Sequence, residues 1–436
     1  MSSEPKILML STSDINGGAA HSAYRIHKTV TDTGISCRLL VLYKGSEDTE
    51  VTTVNEFYRK SAFSEAVRFV KRKIGNKLQH ARWNRYPDKE NVFMSDLRAG
   101  PLNGALQKIE FDILHLHWVN LHFLDLCELV KINKPIIWTL HDCWPFTGIC
   151  HYFYACSKYM DACGECPLLH SYRQNDLSNK IWKQKRSIYN QLDLHVVSPS
   201  NWLAREAKRS TLMSAFPVQV IPNPVDTNLF SPGELSDSCR ALKLNDTKKY
   251  ILFCAMNAIE DKNKGYRQLL DALVRLKIKT DITGYELLIV GTEQPQTELS
   301  ESMPVTYMQV INDESLMASV YRASTLTVVP SLSENFSNVI LESHACGTPV
   351  VAFNIGGNSD IIEHKKTGYL AQAFKPDDFA DGILWCLANN TFGALSKHAR
   401  EKVLKNYTPE IIGMLYNKTY EFALNVEFKS YFNSLI

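Results

Sequence analysis

The sequence predicts an α/β protein made of two Rossmann-like, doubly wound domains facing across a cleft. Three observations carry this. Short apolar runs bounded by turn residues alternate with helix-period segments in both halves, the pattern of parallel sheets covered on both faces. The 436 residues exceed one ordinary core and suit two domains of roughly 200 residues each. Between the halves runs "VIPNPVDTNLFSPGE" (220–234), whose three prolines and two asparagines favour an irregular linker.

The elements follow in order. "KILMLST" (6–12), "CRLLVLY" (37–43), "FDILHLHW" (111–118), "KPIIWTLHD" (134–142) and "DLHVVSPS" (193–200) read as buried strands, with a helix over "AAHSAYRIHKTV" (19–30). The second half repeats the theme with strands "KYILFCAMN" (249–257), "YELLIVGT" (285–292), "VTYMQV" (305–310), "LTVVPS" (326–331) and "TPVVAFN" (348–354). Helical periodicity runs through 266–277, 314–324 and 338–347. The domains are expected over 1–222 and 223–410, with a C-terminal helix in 411–436 returning to the first.

Composition excludes several classes. Hydrophobic residues make up 45% and charged residues 22%, a globular profile. The 48 basic and 46 acidic residues leave a net charge of +2, so nothing draws the chain to nucleic acid. No apolar run approaches the roughly 18 residues of a membrane helix, and the N-terminal apolar stretch reads as a strand, not a signal peptide. A cytoplasmic protein is expected, whose eleven cysteines are reduced thiols or metal ligands.

Four segments fall at carboxyl ends of strands, where open α/β sheets bind ligands. "DINGGAAH" puts Gly17 and Gly18 before a helix, where a backbone can approach an anion; a plain glycine turn gives the same pattern. "AMNAIEDKNKG" carries Lys262 and Lys264, two cations that suit a diphosphate or a solvated loop. "TLHDCWP" places His141 at a strand end as a hydrogen-bond donor, a proton carrier or a packing residue. "SENFSNVILES" (333–343) sets Glu334 in a polar loop and Glu342 on the apolar face of a helix capped by Asn338. A carboxylate avoids such a place unless it is paired. A ribose diol would satisfy it, since both carboxylate oxygens accept and both hydroxyls donate; a lysine or arginine elsewhere would do so too.

These segments resemble the retaining family 4 glycosyltransferases of the GT-B fold. The resemblance is most specific over 329–371, with its E-x7-E pair, "ACGTPVV" strand and "GGNSDI" turn. It implies that Glu334 contacts the donor sugar and Glu342 the nucleotide ribose. Backbone near Asn335, Phe336, Ser337 and Asn338 would face the sugar and phosphates. Lys264, aided by Lys262, would sit on the diphosphate, His141 would meet the transferred sugar, and Gly17 and Gly18 would lie near the phosphates. The implied activity is metal-independent transfer from a nucleoside diphosphate sugar, UDP-type or GDP-type, to a glycan or lipid-linked sugar in polysaccharide biosynthesis. One departure stands out: "CAMNAIEDKNKG" lacks the family's usual arginine, leaving Lys262 and Asn257 as substitutes. A nucleotide-sugar epimerase on the same architecture, or a zinc-stabilised binding module without catalysis, are the alternative readings.

Two further features stand outside this site. "CHYFYACSKYMDACGEC", in an insertion spanning 143–170, spaces Cys150, Cys156, Cys163 and Cys166 as a structural zinc set or as free thiols. Similar cysteine-bearing segments occur in a subset resembling exopolysaccharide, colanic-acid-type enzymes. Segment 59–89 holds ten Lys/Arg against two acidic residues, with Phe63, Val67, Val70, Ile74 and Leu78 at helical spacing. Such a helix suits the inner face of an anionic membrane or packing on the N-terminal sheet. The resemblance, whose acceptors are often lipid-linked, favours the membrane.

Overall fold

The computed structural model describes residues 5–57, 81–90, 94–95, 97, 100, 102, 105–294, 302–390 and 393–425. Most of the basic segment 59–89 lies outside the described residues. Contacts divide the chain into two compact units, Met1–Ile221 with Gly413–Ile436, and Pro222–Ile412.

The first unit holds a sheet of β1 (Lys6–Ser13), β2 (Ser36–Tyr43), β3 (Val51–Thr53), β4 (Ile113–Leu116), β5 (Ile136–Thr139), β6 (Leu194–Ser198) and β7 (Val218–Val220). Its order is β3-β2-β1-β4-β5-β6-β7, and every pairing is parallel. The second unit holds β8 (Lys249–Cys254), β9 (Tyr285–Val290), β10 (Val305–Met308), β11 (Ser324–Val329), β12 (Val350–Phe353) and β13 (Gly368–Ala371). Its order is β10-β9-β8-β11-β12-β13, again parallel throughout. Strands such as β1, β4 and β12 are buried along nearly their whole length, which is why they read as continuous apolar runs.

In each sheet the chain reverses its direction of growth at one place: between β1 and β4, and between β8 and β11. Ligands of such sheets bind beyond the strand ends at that switch point. The loops after β1 and β4 therefore matter in the first unit, and those after β8 and β11 in the second.

The helix Pro409–Leu424 closes the first unit. Tyr416 and Tyr420 are fully buried there. Their hydroxyls meet Thr139 Oγ1 at 3.1 Å and His115 Nδ1 at 2.9 Å, so each aromatic body packs while its polar tip is satisfied. Residues 426–436, expected to extend this helix, lie outside the described residues.

Candidate functional site

In the second unit the helix Asn338–Ala345 starts one residue earlier than expected. Ser337, not Asn338, is the cap, accepting from the Ile340 amide at 3.4 Å. Both residues are competent caps. Asn338 instead accepts from Asn223 Nδ2 at 3.2 Å, a bond to the linker. Glu342 is 8% exposed, as its place on the apolar face demands. The Tyr321 hydroxyl donates to its Oε2 at 2.7 Å. A neutral phenol fills one of several acceptor sites on a carboxylate and leaves its charge in place.

Lys264 shares that neighbourhood. The Cys254 thiol, at the end of β8, is pushed up to about 12 by burial and by the Glu342 carboxylate, while Lys264 pulls it back. The loop bearing Lys264 is clamped to the loop after β11. Leu332 N donates to Asn263 O at 2.8 Å, and Asn263 Nδ2 to Ser333 O at 3.0 Å. Gly265, at φ +75°, lies so close that a Cβ would stand 1.9 Å from Pro330 O. No other residue permits both that conformation and that approach. Lys264 is half-buried, whereas Lys262 is exposed. Asn257, the other substitute for the missing arginine, occupies a left-handed turn at φ 51° and is also exposed.

Glu334 is half-buried in the loop after β11. Gly356 backs it closely: at φ +52° its added Cβ would lie 1.7 Å from Glu334 O, and the Gly357 amide donates to that oxygen at 3.3 Å. The double glycine thus holds the loop from behind. The Phe336 ring is buried edge-on against Tyr407 at 5.8 Å. What Phe336 can offer a ligand is its amide.

In the first unit Gly17 precedes the helix Gly18–Asp32 with φ 92°, and no side chain caps that start. Next to it, Asp14 is buried and accepts from the amides of Ile15, Gly45 and Ser46. Burial opposes its ionisation, but these donors outweigh it and hold the carboxyl below its usual range.

His141 belongs to an imidazole array. Its Nε2 lies 3.0 Å from His117 Nδ1, and the His117 ring sits 4.3 Å from His115. Burial pushes His141 down to about 4 against the pull of Asp142, and His115 down to about 3. The array is neutral at physiological pH, so it presents hydrogen-bonding groups and no charge. Asp142 turns the other way. It accepts from Trp118 Nε1, the Trp144 amide and His151 Nδ1 at 2.8, 2.9 and 2.5 Å. His151 Nε2 in turn meets Ser95 Oγ at 2.9 Å. Ser95 and His151 of this chain are buried and Asp142 is half-buried, and it fastens the cysteine-bearing excursion to the end of β5.

The four cysteines of that excursion are free thiols, and Cys150 feels Cys156, Cys163 and Cys166 electrostatically. Among the described residues, the group of three or more metal-ligating side chains with ligand atoms within 4.8 Å is His27, Asp48 and Glu50. Burial pushes Cys163 up to about 12 and Cys166 to about 11. The buried cation here is Lys185, on the helix Leu177–Tyr189. Its ammonium donates to the carbonyls of Trp144, Thr147 and Gly148 and lies 3.7 Å above the Trp144 ring. The amine lies next to Cys150 and Cys163. Cys150, Cys163 and Cys166 are buried and Cys156 half-buried, with Cys150 and Cys163 beside Lys185.

Sequence reasoning missed His117, Tyr321, Asn263 and Lys185. His115 and His117 stand two apart along an extended run, so both face one side. That spacing was a readable signal. Tyr321 and Asn263 gave none, since their partners come from other elements.

Solved structures share this fold. Sucrose-phosphate synthase from Thermosynechococcus elongatus superposes with a TM-score of 0.63 at 20% identity, covering 96% of this chain and 98% of that one. HepE of Anabaena, solved with UDP and glucose, gives 0.61 at 16% identity, covering 96% and 100%. The fold is therefore the GT-B fold of two Rossmann-like domains.

Family models sharpen this. One described as Glycosyltransferase Family 4 matches residues 16–229, and one described as Glycosyl transferases group 1 matches 248–389. The chain belongs to the family 4 glycosyltransferases. Among curated relatives, a D-inositol 3-phosphate glycosyltransferase of Nocardiopsis dassonvillei is 33% identical over 174 residues, 37% of this chain and 40% of that protein. The putative colanic acid biosynthesis glycosyl transferase WcaC of Escherichia coli is 24% identical over 272 residues, 58% of this chain and 62% of that protein. The match to the first of these relatives spans only about two fifths of its length, at 40%.

Proposed function

We propose that the protein is a retaining glycosyltransferase that moves a sugar from a nucleoside diphosphate sugar to a glycan or lipid-linked sugar acceptor in surface polysaccharide assembly. One observation carries the reading: a buried carboxylate, Glu342, and a half-buried ammonium, Lys264, share the switch point of the second sheet. The carboxylate suits the ribose diol and the ammonium the diphosphate. HepE was solved with UDP and glucose, and WcaC is named for colanic acid biosynthesis, which supports a nucleotide-sugar donor and a polysaccharide setting.

When the anomeric carbon–oxygen bond breaks, charge develops on the leaving diphosphate. Lys264 and the amides opening the helix Asn338–Ala345 would stabilise it without a metal. Glu334 would hold the sugar hydroxyls, and neutral His141 would offer a ring nitrogen to the sugar. The acceptor hydroxyl would attack on the leaving-group face, and the departing phosphate would take its proton. Segment 59–89 would seat the enzyme on an anionic membrane.

Calorimetric titration with UDP and GDP tests the nucleotide assignment. Binding that Glu342→Gln leaves unchanged removes the ribose role. Incubation with nucleotide sugars then separates the reactions: sugar transferred only when acceptor is present supports the transferase, and conversion without acceptor supports the epimerase. Cosedimentation with anionic phospholipid vesicles tests the membrane contact.

A further inference from the structure

A separate cluster lies in the first unit, where the helix Gly18–Asp32 meets the connection from β2 to β3. His27, Asp48 and Glu50 each place one ligand atom there, all within 4.8 Å of one another. His27 Nε2 is 3.9 Å from Glu50 Oε2. The imidazole is fully buried, and its Nδ1 lies 3.5 Å from Cys37 Sγ. Among the described residues, Nε2 has no hydrogen-bond partner.

A buried, unpartnered ring nitrogen aimed at two carboxylates is costly. In the tautomer that directs Nδ1–H at the sulfur, Nε2 turns a lone pair toward oxygens that are themselves acceptors only. A cation among the three would remove the conflict. Lys28 does so only for the carboxylates: its Nζ is 3.4 Å from Asp48 Oδ2 and 3.8 Å from Glu50 Oε2. It is 42% exposed, free to swing outward.

We propose that His27 Nε2, Asp48 and Glu50 form a binding site for a zinc-type divalent cation, which displaces the Lys28 ammonium and completes its shell with water. One imidazole and two carboxylates form a donor set for zinc and its neighbours in the first transition row. Burial holds His27 down at about 4, so its lone pair is available at neutral pH. Zinc bonds such donors at about 2.0–2.2 Å, so the three must draw together. Glu50, 45% exposed, has room to move. Outer partners already orient the ligands: the Tyr24 hydroxyl donates to Asp48 Oδ2 at 2.9 Å and the Glu50 amide to Asp48 Oδ1 at 2.9 Å. The same connection supplies the Gly45 and Ser46 amides that hold Asp14 at the end of β1. A bound ion would fix that connection to the helix and, through Asp14, the backbone leading to Gly17.

Cobalt(II), titrated into the full chain and competed with zinc, tests this. The expected result is a class of site with weak visible bands and no thiolate charge transfer, raising Tm. Glu50→Gln should weaken it by at least the roughly tenfold that loss of an outer partner costs. Lys28→Ala should tighten it by about fivefold or more, because the competing charge is gone. Both side chains are about half exposed, and circular dichroism would verify the fold of each variant. Cobalt bound through sulfur alone, wild-type affinity in Glu50→Gln, or no gain in Lys28→Ala would overturn the proposal.

Discussion

The two sheets share one strand order over six strands, yet their switch points are furnished in opposite ways. The first unit lines its strand ends with imidazoles held neutral by burial, bonded to one another and to Tyr420 and Thr139. The second sets a carboxylate, an ammonium and helix-start amides at the equivalent place. Topology decides where a ligand can sit, and side chains decide which. Neutral donors and acceptors suit hydroxyls, and fixed charges suit a diphosphate.

The contrast can be broken by mutation. The largest effect is expected at Lys264: Lys264→Ala should lower kcat by about a hundredfold or more, since one such electrostatic contact is worth roughly 3 kcal/mol. Single-turnover kinetics with the fold verified would check it, and a normal rate would move the diphosphate contact elsewhere. Glu342→Gln comes next, with nucleotide affinity reduced by about tenfold to a hundredfold, the range for hydrogen bonds to a charged group. Calorimetry reads it directly. His141→Asn should lower kcat by about tenfold and leave nucleotide affinity unchanged, because the charges for the nucleotide reside in the other unit. Lys262→Ala, at an exposed position, should change the rate less than about threefold.

Acid sharpens the same comparison. In the unfolded chain an imidazole takes its proton near 6.5, whereas folded His27 and His141 take theirs near 4 and His115 near 3. As pH falls from about 6.5, the unfolded chain binds protons first and the folded state loses stability. The loss is complete only below the folded values. The first unit carries His27, His115, His117 and His141 in this condition, the second His344 and His364. Hydrogen exchange between pH 6.5 and 4 should show the first unit opening earlier, and equal sensitivity in both would contradict the array.

Much of this was legible in the sequence, for physical reasons. Parallel strands covered on both faces must be apolar throughout, so β1, β8 and β9 begin at the residues expected of them. β3, β7 and β13 are only partly buried along their length, so no continuous apolar run marks them. The carboxylate on an apolar helix face announced Glu342, and the structure supplied Tyr321 as a partner no spacing could reveal. Lys185 was the converse case. It lies between Ile181 and Tyr189 on a buried stripe, and a lysine in such a stripe signals a buried cation as plainly as Glu342 signals a buried anion. The cysteine spacing drew attention away from it. Burial also brings Lys185 down to about 7.

The first unit is discontinuous in sequence, and this bears on how the protein is made. His115 and Tyr420 are 305 positions apart, and Thr139 and Tyr416 are 277 apart. During synthesis the N-terminal sheet leaves the ribosome long before the tyrosines that cover it. For that interval its polar strand residues face solvent or a chaperone, while the second unit, continuous from Pro222 to Ile412, is free to fold first. Nascent chains stalled before residue 413 should therefore resist protease in their later portion and yield in their earlier one.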